Sequence, residues 1–177
     1  MKERSESIAP LFKGWELLQG ELTGLVERAS AEQLGWRASP EQWPIWASIG
    51  HLAGCRVYWL CHVFGEAGAE TTPFQTYGDD PGWEDDLSRP RNADELLGAL
   101  KSSWAIVERC LETWTLSMLG EEFVRTRSDG VRQAHTRQSV LFRMLTHEAV
   151  HAGSISEVLG MHGLPELDIW SGLSRDV

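Results

Sequence analysis

The sequence predicts an all-α protein, a four-helix bundle with a long connection between its second and third helices. Three observations predict it. Four stretches of about 20 residues place apolar side chains at i, i+3, i+4 and i+7 spacing. Helix-starting and helix-stopping residues flank those stretches. No stretch offers convincing strand partners. The length of 177 residues, 42% of them hydrophobic, suits one domain over 1–177 with a full core.

The first helix carries Ile8, Leu11, Phe12, Trp15, Leu18, Leu22, Leu25, Val26 and Ala29 on one stripe, and Pro10 falls in its first turn. Ser30 to Pro40 is a connection with room for one short turn at 31–34. The second helix is predicted from Pro44 to about Phe64, stopped by Gly65 and Gly68. It is apolar around most of its circumference, so it should be buried on more than one face. The third starts at Asn92, with Glu95 in capping-box position, and carries Leu96, Leu100, Trp104, Val107, Leu111 and Trp114 toward Ser117. Residues 123–135 alternate weakly around Asp129-Gly130, which fits a short hairpin or an extended loop. Thr136 caps the fourth helix, which runs to about Met161 and is closed by Gly163.

Composition excludes several functions. The chain has 16 Lys+Arg against 26 Asp+Glu, a net charge of −10, so its surface repels phosphate backbones and nucleic acid is not an expected partner. No uninterrupted apolar run reaches the roughly 18 residues of a membrane span. The start of the chain does not read as a signal peptide. Cys55, Cys61 and Cys110 form no CxxC pair and are odd in number. That points to a reducing cytoplasm rather than a disulfide framework.

The histidines carry the chemistry. His147 and His151 are one turn apart on the fourth helix, in line with Val140, Met144, Ser154 and Val158. This spacing can chelate a metal ion, although an HxxxH pair also occurs on plain helix surfaces or hydrogen-bonded in cores. Buried imidazoles need polar partners, and an ion supplies them. His51 lies mid-way along the apolar second helix. Its small neighbours Ala47, Ser48, Gly54 and Cys55 should leave room for an ion or substrate, and His51 is the favoured third ligand. Residues 147–151 also match HExxH, where Glu148 would be a general base. The longer zincin pattern fails, so Glu148 is better read as a flanking or supporting residue that could orient a histidine or relay a proton. His62 lies about 16 Å along the helix from His51, too far to share an ion. His135 and His162 are expected in solvent near helix ends.

Together, the segments around His51 (WASIGHLAGCRVYW) and around His147 and His151 (LFRMLTHEAVHAGSI), with the closing GLPELDIW, resemble the DinB/YfiT-like superfamily of four-helix metalloproteins. The resemblance implies a metal held by His51, His147 and His151. Many members have an Arg-Gly pair after the second histidine of the last helix, where this chain has Ala152-Gly153. It further implies thiol-dependent transferase or isomerase activity, with a divalent ion (zinc, nickel, iron or manganese) and a low-molecular-weight thiol as partner of a small-molecule substrate. A stress-related bundle with a structural metal or none is the alternative reading.

Three neutral imidazoles would leave the ion open positions, as catalytic sites do. Trp46, Ser48 and Cys55 are the expected pocket residues, with Cys55 more simply a small packing residue. Residues 66–91, with Phe74, Tyr77 and Trp83, either cover the cleft or pack on the surface. A homodimer is expected, because the apolar second helix presents a larger face than one bundle is expected to bury. Of the nine tryptophans, Trp15, Trp46, Trp59, Trp104 and Trp114 fall within helices and belong to the core. The other four lie in connections or the tail and can seal bundle ends or wall the cleft.

Overall fold

A computed structural model describes residues 7–75 and 82–174. The first long helix opens with a 3₁₀ turn at Ala9–Phe12 that accommodates Pro10, then becomes α1 (Lys13–Arg28). The short turn expected in the next connection is α2 (Ala31–Leu34), fixed by a reciprocal Ser30–Gln33 capping box. Pro44 caps α3 (Ile45–Val57) from extended backbone, one position outside the helix it was expected to begin. α3 runs on into a wider π-helical stretch, Tyr58–Val63, where the Phe64 amide reaches back to the Trp59 carbonyl at 3.2 Å. Gly65 ends it with a φ of 75°, a left-handed conformation that costs glycine little.

α4 (Ala93–Thr113) begins with the Asn92–Glu95 capping box, and it stops four residues short of Ser117. α5 (Arg137–Met161) starts at Thr136, whose hydroxyl accepts from the Ser139 amide. α3 packs against both α4 and α5, and α1 packs against the same two helices. The buried apolar residues of all four long helices form one core cluster, with Trp15, Trp46, Trp59 and Trp114 among them.

The all-α expectation is corrected by one small sheet, which takes the hairpin alternative that the sequence offered at 123–135. Between α4 and α5 lies a two-stranded antiparallel sheet, β1 (Glu122–Thr126) and β2 (Arg132–Thr136), with Val124 opposite Ala134. Gly130 turns the chain at a φ of 81°. Phe123, Arg125, Gln133 and His135 are the half-buried side of the ladder. Three of those four are polar, so the alternation reads weakly in sequence. They are held by specific partners instead: Phe123 packs on Phe64, and Arg125 lies against Tyr58 and Trp59.

Two other expectations meet the packing here. The apolar α3 is covered by its own chain: most of its residues, Ile49, Leu52, Ala53 and Val57 among them, are fully buried. A second copy is therefore not required to cover that helix. The described parts of the connection between α3 and α4 lie on the helix surface rather than away from it. Phe74 is buried and meets Trp83 edge-on, and Trp83 packs over Gly50. Tyr77 lies outside the described residues. No described helix is long and apolar enough to cross a membrane.

Candidate metal centre

α3 carries His51 on the side facing α5, and α5 returns His147 and His151 from successive turns. The three Nε2 atoms converge. His147 Nε2 is 3.2 Å from His51 Nε2 and 3.2 Å from His151 Nε2. One ligand atom from each residue lies within 4.8 Å of the other two. Two imidazole nitrogens bound to one tetrahedral ion at zinc–nitrogen lengths stand about 3.3 Å apart. Both contacts to His147 are close to that spacing, so the trio is compatible with one divalent ion, with His147 as the shared vertex.

The environment sets the imidazoles up as ligands. His51 Nδ1 sits 2.8 Å from an Asp85 carboxylate oxygen. Donation from Nδ1 to that oxygen leaves the Nε2 lone pair facing the other two rings, the usual arrangement behind a metal-bound histidine. Burial, then the neighbouring His51, holds His147 below its ordinary pKa. Burial, then His147 and His51, lowers His151 to about 4. Both rings are thus neutral at pH 7, as ligation requires. His147 Nδ1 is buried and has no hydrogen-bond partner among the described residues.

One wall of the trio is open. A cleft of about 840 Å³ reaches His51 and His151, lined also by Glu41, Trp43, Ser48 and Glu157. Trp43 meets the His51 ring edge-on, with centroids 5.1 Å apart. Three imidazoles, a supporting carboxylate and an open approach can hold an ion and still admit an exchangeable ligand.

The family model of the DinB superfamily matches residues 15–155, a span that contains all three histidines. The chain belongs to the DinB superfamily. A DinB-like protein from Bacillus cereus has a similar structure, with a TM-score of 0.64 and 16% identity. The likeness covers 94% of this chain and 99% of that one, and at such identity it speaks for the fold alone. No curated protein sequence matches the chain.

Within this DinB-superfamily chain, the other expected site residues have separate positions. Ser48 lines the cleft and is 8% exposed. Trp46 is buried in the core cluster, and the tryptophan at His51 is Trp43. Cys55 is partly buried and is not among the residues lining the cleft. Burial, then the nearby Glu148 charge, pushes its thiol up to about 12, so it stays protonated. The Glu148 carboxylate is not in the histidine trio. It points into the core, where it is 2.7 Å from Arg56 Nη2 and accepts from Trp15 Nε1. Ser48 does border open space, but the glycines of α3 are covered. A side chain at Gly54 would meet the Glu84 side chain at 2.6 Å, and one at Gly50 would meet Trp83 at 3.3 Å. They seat the loop that brings Asp85 onto His51.

The remaining histidines divide. His62 is turned toward the Phe74 carbonyl at 3.2 Å. His162 is exposed and stacks on Trp36, with centroids 3.8 Å apart. His135 is not in open solvent as expected. It is half-buried edge-on to Trp59, because β2 lays that side of the hairpin against the π-helical stretch.

Two consequences can be measured. Asp85→Ala removes the carboxylate behind His51 and leaves the three ligands in place. It should weaken divalent-metal binding roughly 10–100-fold in a calorimetric titration. Unchanged affinity would show that Asp85 does not orient the ring. The second concerns acid. A histidine whose pKa is lowered by folding binds fewer protons in the folded state than in the unfolded one. Its contribution is fully present above the ordinary value near 6.5 and is lost as pH falls through the folded value. Metal-free protein should therefore lose stability between about pH 6.5 and pH 4 in urea unfolding. His151→Gln, which cannot take up that proton, should flatten this part of the curve.

Proposed function

We propose that this DinB-superfamily chain is a divalent-metal enzyme acting on small molecules, of the thiol S-transferase or isomerase type. His51, His147 and His151 hold the ion at the floor of the cleft. The observation that carries this reading is the convergence of three Nε2 atoms at metal-ligand spacing beside an open approach. The ion, when bound, would keep a low-molecular-weight thiol in its thiolate form near neutral pH. The protein's own residues hold and shape the site. Asp85 fixes the His51 tautomer, Trp43 limits ring movement, and Ser48 and Ser154 offer hydroxyls along the cleft. Glu148 supports α5 from the core side. The thiols of Cys55, Cys61 and Cys110 are all unpaired, which suits a cytoplasmic setting for a thiol-using enzyme. The net charge of −10 argues against nucleic acid as the partner.

The test starts from metal-free protein titrated with zinc, nickel, iron(II) and manganese, followed by elemental analysis after gel filtration. One tightly bound ion per chain is expected. Cobalt-substituted protein should then change its visible spectrum when a low-molecular-weight thiol is added, as sulfur enters the open position. If none of the four metals binds, the reading fails. If one binds but its removal unfolds the chain and added thiol leaves the cobalt spectrum unchanged, a structural metal in a non-catalytic module replaces it.

A further inference from the structure

Trp59 is 3% exposed, and two guanidinium groups lie against its ring. Arg125, from β1, sits 5.0 Å from the ring centroid, and Arg143, from α5, sits 5.1 Å from it. Neither has a carboxylate partner among the described residues. Arg125 donates to the Gln133 side-chain oxygen and to the Tyr58 hydroxyl, neither of them a carboxylate. Arg143 is exposed, and its guanidinium makes no hydrogen bond or ion pair among the described residues. Both charges act on one spot. The ring of His135 lies 4.9 Å from that of Trp59, and after burial it is Arg125 and then Arg143 that hold its pKa down.

In a chain with ten excess negative charges, two uncompensated guanidiniums on one indole are anomalous. Packing alone does not call for this. Like charges brought together repel, and the indole quadrupole offsets only part of that. An oxyanion held beside the two guanidiniums would offset the repulsion and use the donors that Arg143 leaves free and those that Arg125 has left over from Gln133 and Tyr58. The position gives the pair a place in the site. Arg143 precedes His147 by one turn on α5, while His51, Cys55 and Trp59 follow one another at four-residue steps along α3 and into the π-helical stretch that continues it. The arginines therefore continue the α3–α5 seam past the histidines, on the side away from the cleft mouth lined by Glu41 and Glu157.

We infer that Arg125 and Arg143, stacked on Trp59, form a subsite for an oxyanion group, a carboxylate or a phosphate, of a small molecule whose other end reaches the histidine trio. Its role as a substrate subsite rests on the proposed function, but anion binding itself requires no metal. The test uses metal-free full-length protein, with nitrogen-15 spectra followed at constant ionic strength in sodium chloride. Inorganic phosphate and malonate are added in separate titrations. At least one should give saturable shifts centred on the Trp59 indole, with binding at least tenfold weaker in Arg143→Gln and in Arg125→Gln. Unchanged spectral dispersion would show that the variants remain folded. The preferred anion names the group. Absence of saturation with both anions, or equal affinity in wild type and both variants, overturns the subsite. A wild type that binds anion but none of the four metals would keep the subsite while the enzymatic reading fails.

Discussion

Glu148→Ala should destabilise the protein by about 3–5 kcal/mol, the range for leaving one partner of a buried ion pair uncompensated. Arg56 is fully buried and Glu148 is 1% exposed. The pairing is two-pronged, with Arg56 Nε at 2.8 Å from one carboxylate oxygen and Nη2 at 2.7 Å from the other. Trp15 Nε1 donates to the second oxygen at 2.8 Å. Arg56 Nη1 reaches the Gln19 side-chain oxygen at 2.7 Å, and Trp104 lies beneath the guanidinium. Without the carboxylate, the guanidinium loses its buried partner and has no route to water. Against a typical total of about 5–15 kcal/mol, such a loss brings a domain of this size close to unfolding. Urea denaturation measures it. Arg56→Met combined with Glu148→Met removes both charges and should recover most of the loss, because the desolvation cost disappears with the pair. If Glu148→Ala unfolds at the wild-type urea midpoint, the pair is not a stabilising contact and a chemical role for Glu148 regains its claim.

His147→Ala should cost more metal affinity than any other change, more than about 100-fold, beyond the loss expected from removing an outer partner such as Asp85. His147 Nε2 is the atom that approaches both other imidazoles at 3.2 Å. Removing it leaves His51 and His151 without a ligand between them, and two imidazoles hold a labile ion far more weakly than three. Competition against a chromophoric chelator reads the change, with circular dichroism to show that α5 is intact. Equal losses in His51→Ala and His151→Ala would still fit a three-ligand centre. Wild-type affinity in His147→Ala would place the ion elsewhere.

The helices and the histidine trio were legible because both rest on periodicity. The three imidazoles depend only on a one-turn spacing on α5 and on an apolar helix long enough to bring His51 opposite it. What the sequence hid depends on contacts between distant segments. Asp85 stands in a run of acidic residues, Glu84 to Asp86, with no pattern to single it out. Its selection comes from the loop seated on Gly50 and Gly54. Arg56 and Glu148 are 92 residues apart, and an arginine in an apolar helix does not announce its partner. Trp46 looked close to His51 along the chain. Five residues turn a helix well past a full circle, however, so the two side chains leave on different sides. Trp43 precedes the helix on the extended segment before Pro44, and from there its ring reaches His51. The π-helical stretch at 58–63 has no sequence signature in its apolar run.

The polar cluster around Arg56 draws on every long helix: Trp15 and Gln19 from α1, Arg56 from α3, Ser103 from α4 and Glu148 from α5. Rotating or sliding any one helix by a single residue would strand a charge or an amide in an apolar interior. The cluster therefore acts as a key for the relative registry of the four rods, where interchangeable leucines and valines alone would tolerate several. It also couples their fates. No helix can detach alone without exposing or orphaning a partner on the others, so the innermost backbone amides should exchange with solvent only when the whole chain opens.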